Sequence, residues 1–228
     1  AARHFENGAS RVLLSAPPQG AVKTCVYGVN HTSVTKADRI LSNASCTTNC
    51  LVPVAKVLHD AFGIEAGMMT TVHSYTSTQN THDGPHADMY RGRAAGVSMI
   101  PTSTGAALSL DAVMPELAGR ITGHAIRVPT PNVSCIDLVV QLSKPADAET
   151  INARFADVSR GALKGIVDTT DRKLVSADFR QDAHSAIVAC DQTRVQGNMA
   201  RVLAWYDNEW GFSHRLIDMI RVMAHASK

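Results

Sequence analysis

At 228 residues, 45% of them hydrophobic and 18% charged, with a formal net charge of +2, the chain has the composition of an ordinary soluble globular protein with room for one or two domains. No apolar run reaches the roughly 18 residues needed to span a membrane, and the mild basicity (sequence pI ≈ 8.4) is far from the charged stripe of a nucleic-acid binder. Five cysteines, an odd number, behind an N-terminus with no apolar signal region point to a reducing, cytoplasmic compartment without structural disulfides.

The opening "AARHFENGAS" reads as the tail of a helix closed by Gly8. "RVLLSAPP" (11–18), "KTCVYGVN" (23–30) and "DRILSNAS" (38–45) read as short strands bounded by Pro, Gly or polar residues. From Cys46 the period changes: Leu51, Val54, Val57, Leu58 and Phe62 recur at helical spacing as far as Gly63, with Pro53 expected to kink the helix. "GMMTTVHSYT" (67–76) alternates as a strand with Met69, Thr71, His73 and Tyr75 on one face. Residues 77–101 are too irregular for regular structure, and a loop of that length is usually functional or interface-forming. Strands "GHAIRVP" and "VSCIDLVVQL", a helix near 147–160, strands near 185–205 and a closing helix follow, the last with Leu216, Met219, Ile220 and Met223 on one stripe. The first strands read as the end of an α/β unit and the remainder as α+β.

The stretch "SNASCTTNC" (42–50) carries no charge and two cysteines. Zinc fits poorly: Cys46 and Cys50 have no second cysteine pair, and Gly84-Pro85 break the spacing between His82 and His86, so no metal site is expected. Ser45 stands where an N-cap belongs and Cys46 in the first turn, where unpaired N–H groups and the helix dipole favour a thiolate. A strand–helix–strand path can return His73 to the helix start as a base for that thiol, although a histidine on a Thr-rich strand is equally read as a satisfied core residue. Cys50, one turn deeper, reads as a small buried hydrophobe. Thr47, Thr76, Thr104-Gly105, Arg91 and Arg127 supply hydroxyls, amides and guanidinium groups of the kind phosphate oxygens accept from, and "TSTGAALSL" opens a helix suited to an anion. Together with a thiol, they suggest chemistry on a phosphorylated compound.

"SNASCTTNC", "TTVHSYT", "STGAA", "RVPTPNVSCIDL" and "WYDNEWGFSHR", in that order, resemble the successive signatures of the phosphorylating glyceraldehyde-3-phosphate dehydrogenases. The resemblance implies an α+β catalytic domain (46–210), with a mixed, largely antiparallel sheet and helices on one face. It would be preceded by the last strands of an α/β Rossmann-type domain (1–45) and followed by a closing helix (211–228) packed back on that domain. It further implies Cys46 as nucleophile and His73 as its base. Thr76 and Arg127 would hold the substrate's phosphate, and Ser45, Thr47, Arg91, Thr104 and Gly105 the attacking inorganic phosphate. Asn208 would bond the nicotinamide of NAD or NADP, with Phe212 beside it and Ser15 lining the cofactor cleft. The implied reaction takes glyceraldehyde 3-phosphate to 1,3-bisphosphoglycerate through a hemithioacetal and a thioester on Cys46. The implied assembly is a homotetramer in which the 77–101 loop packs between subunits.

Phe212 stands where many members have Tyr. The sequence holds no G-x-G-x-x-G fingerprint, so it is expected to lack most of the cofactor domain, and NAD preference over NADP is unreadable. "HSAIV", "QTRV" and "DNEWGF" also resemble erythrose-4-phosphate dehydrogenases, but that family lacks the Thr-Gly site supplied here by Thr104-Gly105. Two further readings come from other classes: a binding or scaffold module, and a cofactor-free thiol esterase or acyl-transferase.

Overall fold

The computed structural model describes residues 1–226. Helix α1 (Ala2–Glu6) leads into strands β1 (Val12–Leu14), β2 (Lys23–Thr24) and β3 (Ile40–Ser42), which form a small parallel sheet in the order β1-β3-β2. Helix α2 (Cys46–Phe62) and strand β4 (Ile64–Ser74) follow, then β5 (Ile100–Ser103), α3 (Ala106–Val113), β6 (Ile121–Val128) and β7 (Ser134–Leu142). The chain continues through α4 (Ala148–Arg160), β8 (Val167–Thr170), β9 (Ala186–Ala189), β10 (Arg194–Gln196), β11 (Met199–Tyr206) and α5 (Trp210–His225). Among the described residues β4 to β11 make one eight-stranded sheet, ordered β5-β6-β4-β7-β11-β9-β8 with β10 beside β11. The β4–β6 and β8–β9 pairs are parallel and the others antiparallel, so the sheet is mixed and largely antiparallel.

Alternation along the strands divides the sheet into two faces. Met69, Ile136, Leu138, Val140, Val202 and Ala204 point inward to Leu51, Leu58, Leu110 and Phe155 of α2, α3 and α4. Each large side chain buried there contributes about 1.5–3 kcal/mol by leaving water. Met68 (72% exposed) and Val139 (38%), one residue out of phase with Met69 and Leu138, lie on the opposite face.

Ser45 caps α2 by accepting the Thr48 N–H at 3.1 Å, and Gly63, at φ 71°, closes it with its N–H on the His59 carbonyl. Pro53 lies inside the helix and does not end it; its ring is buried in the core. Other elements differ from the sequence reading. The strand expected over 23–30 stops at Thr24, because Asn30 Oδ1 accepts the Val26 N–H and its Nδ2 donates to the Thr24 carbonyl, closing a turn. Strand β4 begins at Ile64 and ends at Ser74, so Met69, Thr71 and His73 are buried while Tyr75 emerges exposed. Strand β8, with its sequence VDTT, carried no alternation to announce it. On α5 the buried stripe is Gly211, Arg215, Met219 and Met223, whereas Ile220 is 56% exposed. Met219 and Met223 share a separate small core with Cys25 and Leu41, so α5 packs on the parallel sheet.

Candidate active site

Cys46 occupies the first turn of α2 and His73 the penultimate position of the adjacent β4, and the fold brings Sγ to 3.4 Å from Nε2. Cys46 is partly exposed, whereas Cys25, Cys50, Cys135 and Cys190 are buried; all five are free thiols. Parallel pairing sets Arg127 of β6 in register with His73. Its Nη1 lies 2.7 Å from His73 Nδ1 and donates to the Ser74 carbonyl at 2.9 Å.

The surroundings of the sulfur work against the thiolate that the helix start favours. Burial pushes the Cys46 thiol above its ordinary value, outweighing the opposing Thr47 N–H, Thr47 hydroxyl and Arg127 charge, while Glu209 pushes it further up. The uncharged stretch around Cys46 thus acquires a carboxylate neighbour from a distant segment. Burial first, and the Arg127 charge second, lower His73 to about 4. Burial thus opposes thiolate formation at Cys46, while the lowered pKa leaves His73 neutral and able to serve as a base. The two tautomers satisfy different contacts, because Arg127 can donate to Nδ1 only when that nitrogen is bare. With hydrogen on Nδ1, it donates to the Ser74 carbonyl at 2.7 Å and Nε2 offers a lone pair to the thiol. With Nδ1 bare, Arg127 donates to it and Nε2–H donates to the sulfur.

The remaining candidates fall into groups. Ser45 is committed as the N-cap, with its Oγ also 2.8 Å from Thr48 Oγ1. Thr47 is turned inward: its hydroxyl shares a hydrogen bond with buried Tyr206 at 2.9 Å, and Tyr206 continues to Thr71 at 2.8 Å. Tyr206 also packs edge-on against the His73 ring, at 5.9 Å between centroids. Thr76 is fixed by Gln79, whose Oε1 accepts from the Thr76 N–H at 2.9 Å and from its hydroxyl at 3.2 Å. Both residues line a cleft of about 640 Å³ with Tyr75, Asn80, Ala95 and Gly96. Arg91 donates to Thr102 of β5 at 2.7 Å and meets Asp88 at 3.5 Å. Its charge contributes, after burial and against Cys46 and Tyr206, to lowering Arg127, so the two guanidinium groups share one field. Thr104 and exposed Gly105 open α3, with Thr104 Oγ1 accepting the Ala106 N–H at 3.3 Å.

Asn208 is 5% exposed, and its Oδ1 accepts from the Ser74 and Ser134 hydroxyls, each at 3.0 Å. The amide is thereby oriented with Nδ2 as its donor, which meets Glu209 Oε1 at 3.5 Å. That polarity fits a carboxamide carbonyl. Asp207 fixes the segment from below by accepting N–H groups of Gln181, Glu209 and Trp210 and the Asn132 amide. Phe212 lies partly exposed in the first turn of α5, and Ser15 lies exposed beyond β1, apart from the Cys46–His73 network. Sequence reasoning missed Tyr206, Gln79, Ser134, Asp207 and Glu209. The roles of Tyr206 and Ser134 depend on partners as far as 159 positions away, and only the polar run "YDNE" hinted at the last group.

A family profile described as "Glyceraldehyde 3-phosphate dehydrogenase, C-terminal domain" matches residues 45–208. The chain is 57% identical over 219 residues to the glyceraldehyde-3-phosphate dehydrogenase of Cereibacter sphaeroides, covering 96% of this chain and 66% of that protein. It is 55% identical to that of Xanthobacter flavus, with 96% and 65% covered, and 51% identical to that of Mycobacterium leprae, with 95% and 64% covered. The chain spans just under two thirds of the length of these relatives. With a profile match over most of its length and relatives at this identity, the chain belongs to the glyceraldehyde-3-phosphate dehydrogenase family and carries its C-terminal domain.

Proposed function

We propose that the protein catalyses the phosphorylating oxidation of glyceraldehyde 3-phosphate with NAD or NADP, through a hemithioacetal and a thioester on Cys46. The observation carrying this reading is the 3.4 Å contact between Cys46 Sγ and His73 Nε2, backed by Arg127 on the far side of the ring. His73 takes the thiol proton as sulfur attacks the aldehyde carbon and delivers it to the carbonyl oxygen. It then removes that hydroxyl proton as the carbon is oxidised. A bound nicotinamide supplies the hydride acceptor, and Asn208 Nδ2 would hold its carboxamide, with Phe212 as a neighbouring ring. The Cys46 backbone N–H, unpaired in the first turn of α2, and His73 Nε2–H stabilise the developing oxyanion. Inorganic phosphate attacks the thioester carbon, the Cys46 sulfur leaves, and His73 returns the proton to it.

Thr76, two residues beyond β4, and Arg127 Nη2, which has no partner among the described residues, are proposed to receive the substrate phosphate, since β4 and β6 are parallel and His73 and Arg127 are in register near their C-terminal ends. Arg91, Thr104, Gly105 and Ser45 are proposed to serve the second phosphate. Thr47 is proposed to act beside them through its N–H, since its hydroxyl is turned inward to Tyr206. The parallel sheet of residues 1–45 and the helix packed on it are proposed to be part of the cofactor-binding domain. Exposed Met89, Val97 and Met99 in the long loop and Met68 on the open sheet face support a homotetramer. Cys46→Ser should abolish NAD(P)-dependent turnover of aldehyde plus phosphate, and His73→Asn should lower kcat by about 10²–10⁴-fold. Turnover that survives Cys46→Ser would refute the reading.

A further inference from the structure

Among the described residues, three non-glycine residues have positive φ: Ala44 (56°), Val133 (71°) and Gln181 (62°). Left-handed backbone is costly for residues with a Cβ and persists where the surroundings enforce it. All three border the site. Ala44 precedes Ser45 and Cys46, Val133 precedes Ser134, and the Gln181 N–H is held by Asp207.

Ala44 lies two residues before the thiol. It is fully buried between the last residue of β3 and the N-cap of α2. Ser42 Oγ accepts its N–H at 3.0 Å and donates to the Ala16 carbonyl at 2.7 Å, which ties down the entrance of the turn. The exit is tied from the helix itself. Asn49, 2% exposed and three residues beyond Cys46, donates its Nδ2 to the Asn43 carbonyl at 2.8 Å and to the Ser45 carbonyl at 2.9 Å. One side-chain amide therefore straddles Ala44 and holds the peptide oxygens on either side of it. The neighbouring Asn43 amide, also fully buried, makes no hydrogen bond among the described residues, so it does not share this task.

We infer that Asn49 is a positioning residue for the nucleophile: its amide clamps the left-handed turn at Ala44 and so fixes the Cys46 sulfur against His73. This rests on the Cys46–His73 reading above and adds a residue that touches neither sulfur nor imidazole. Relaxing the clamp lets Ala44 leave the left-handed region, which swings the first turn of α2 and breaks the sulfur–imidazole contact. A glycine at 44 adopts the same φ without the steric cost that the clamp offsets for alanine.

The test measures the rate of Cys46 alkylation by iodoacetamide against pH, by peptide mass mapping of the 228-residue chain, with far-UV circular dichroism and Tm recorded for every variant. In the wild type, Cys46 should react at least about tenfold faster than Cys50 at pH 7. Asn49→Ala should slow Cys46 about tenfold and move its pH profile toward that of an unassisted thiol. Adding Ala44→Gly should restore both to within about twofold of wild type, a rescue that lost packing around Asn49 would not show. Ala44→Val alone should mimic Asn49→Ala, and this variant carries the test should Asn49→Ala not fold. Folded Asn49→Ala or Ala44→Val with wild-type rate and pH profile, or failure of Ala44→Gly to rescue, would overturn the clamp. Equal labelling of Cys46 and Cys50 in the wild type would instead overturn the nucleophile reading, and the clamp with it.

Discussion

Arg127 Nη1 lies 2.7 Å from His73 Nδ1, so the cation proposed to meet the substrate also helps burial to lower the pKa of the base. The β4–β6 register makes this unavoidable, because the two residues are paired directly across parallel strands. Arg127→Ala should raise the His73 pKa from about 4 part of the way toward 6.5, burial remaining as the larger cause of the depression. Titration of the His73 ring by NMR checks this, and an unmoved pKa would remove Arg127 from the base's environment.

The same substitution should cost about 2–5 kcal/mol in kcat/KM for glyceraldehyde 3-phosphate in the NAD(P)-binding enzyme, as when one partner of a buried charged contact is lost. Arg160→Ala should change little, since that side chain is 71% exposed and paired with Asp157 on the surface of α4. Equal effects of the two substitutions would rule out a phosphate role for Arg127.

Much of this geometry was legible in the chain. The Ser45 cap, the helical period from Leu51 and the alternation around His73 each follow from local rules, and together they place a thiol beside a base. The unread part came from partners distant in sequence. Arg215 sits on the buried stripe of α5 because Asp218 pairs with it at 2.8 Å and the Gly165 carbonyl accepts its Nη1–H, so a hydrophobic reading of that stripe chose Ile220 instead. Glu209 and Tyr206 reach the thiol's surroundings from beyond residue 200, and no local pattern announces that. Burial, which raises Cys46 against the helix N-terminus, is likewise a property of the assembled core.

Acid should unfold the protein partly through His73. The unfolded imidazole titrates near 6.5 and the folded one near 4, so between these values the unfolded chain binds more protons and stability falls as pH drops. The full difference is about 3 kcal/mol, present above pH 6.5 and lost once the pH is below about 4. Denaturant titrations at pH 7 and pH 4 should show His73→Asn losing less stability on acidification than wild type by about that amount. Parallel losses in the two proteins would contradict the assignment.

Gln79 holds Thr76 through two hydrogen bonds, so Gln79→Leu should free the threonine and raise KM for the phosphorylated aldehyde with little change in kcat. A loss of about 1–2 kcal/mol is expected in kcat/KM. A fall in kcat at constant KM would place Gln79 in another role.

Gly211, the second residue of α5, lies against the carbonyls of His184 and Asp182, and an added Cβ would approach the His184 oxygen to 2.7 Å. Gly211→Ala should therefore destabilise the fold by about 1–3 kcal/mol, read as a lower Tm, because neither contact is a movable side chain. An unchanged Tm would mean that α5 can shift without cost.

The most direct test of Cys46 as the nucleophile is to trap an acyl group on it. After brief treatment with p-nitrophenyl acetate at neutral pH, quenching in acid and peptide mass mapping, the acetyl group should be found on Cys46, with Cys25, Cys50, Cys135 and Cys190 unmodified. His73→Asn should slow its appearance. Acetylation spread evenly over the five cysteines, or absent from Cys46 in the folded chain, would contradict the account.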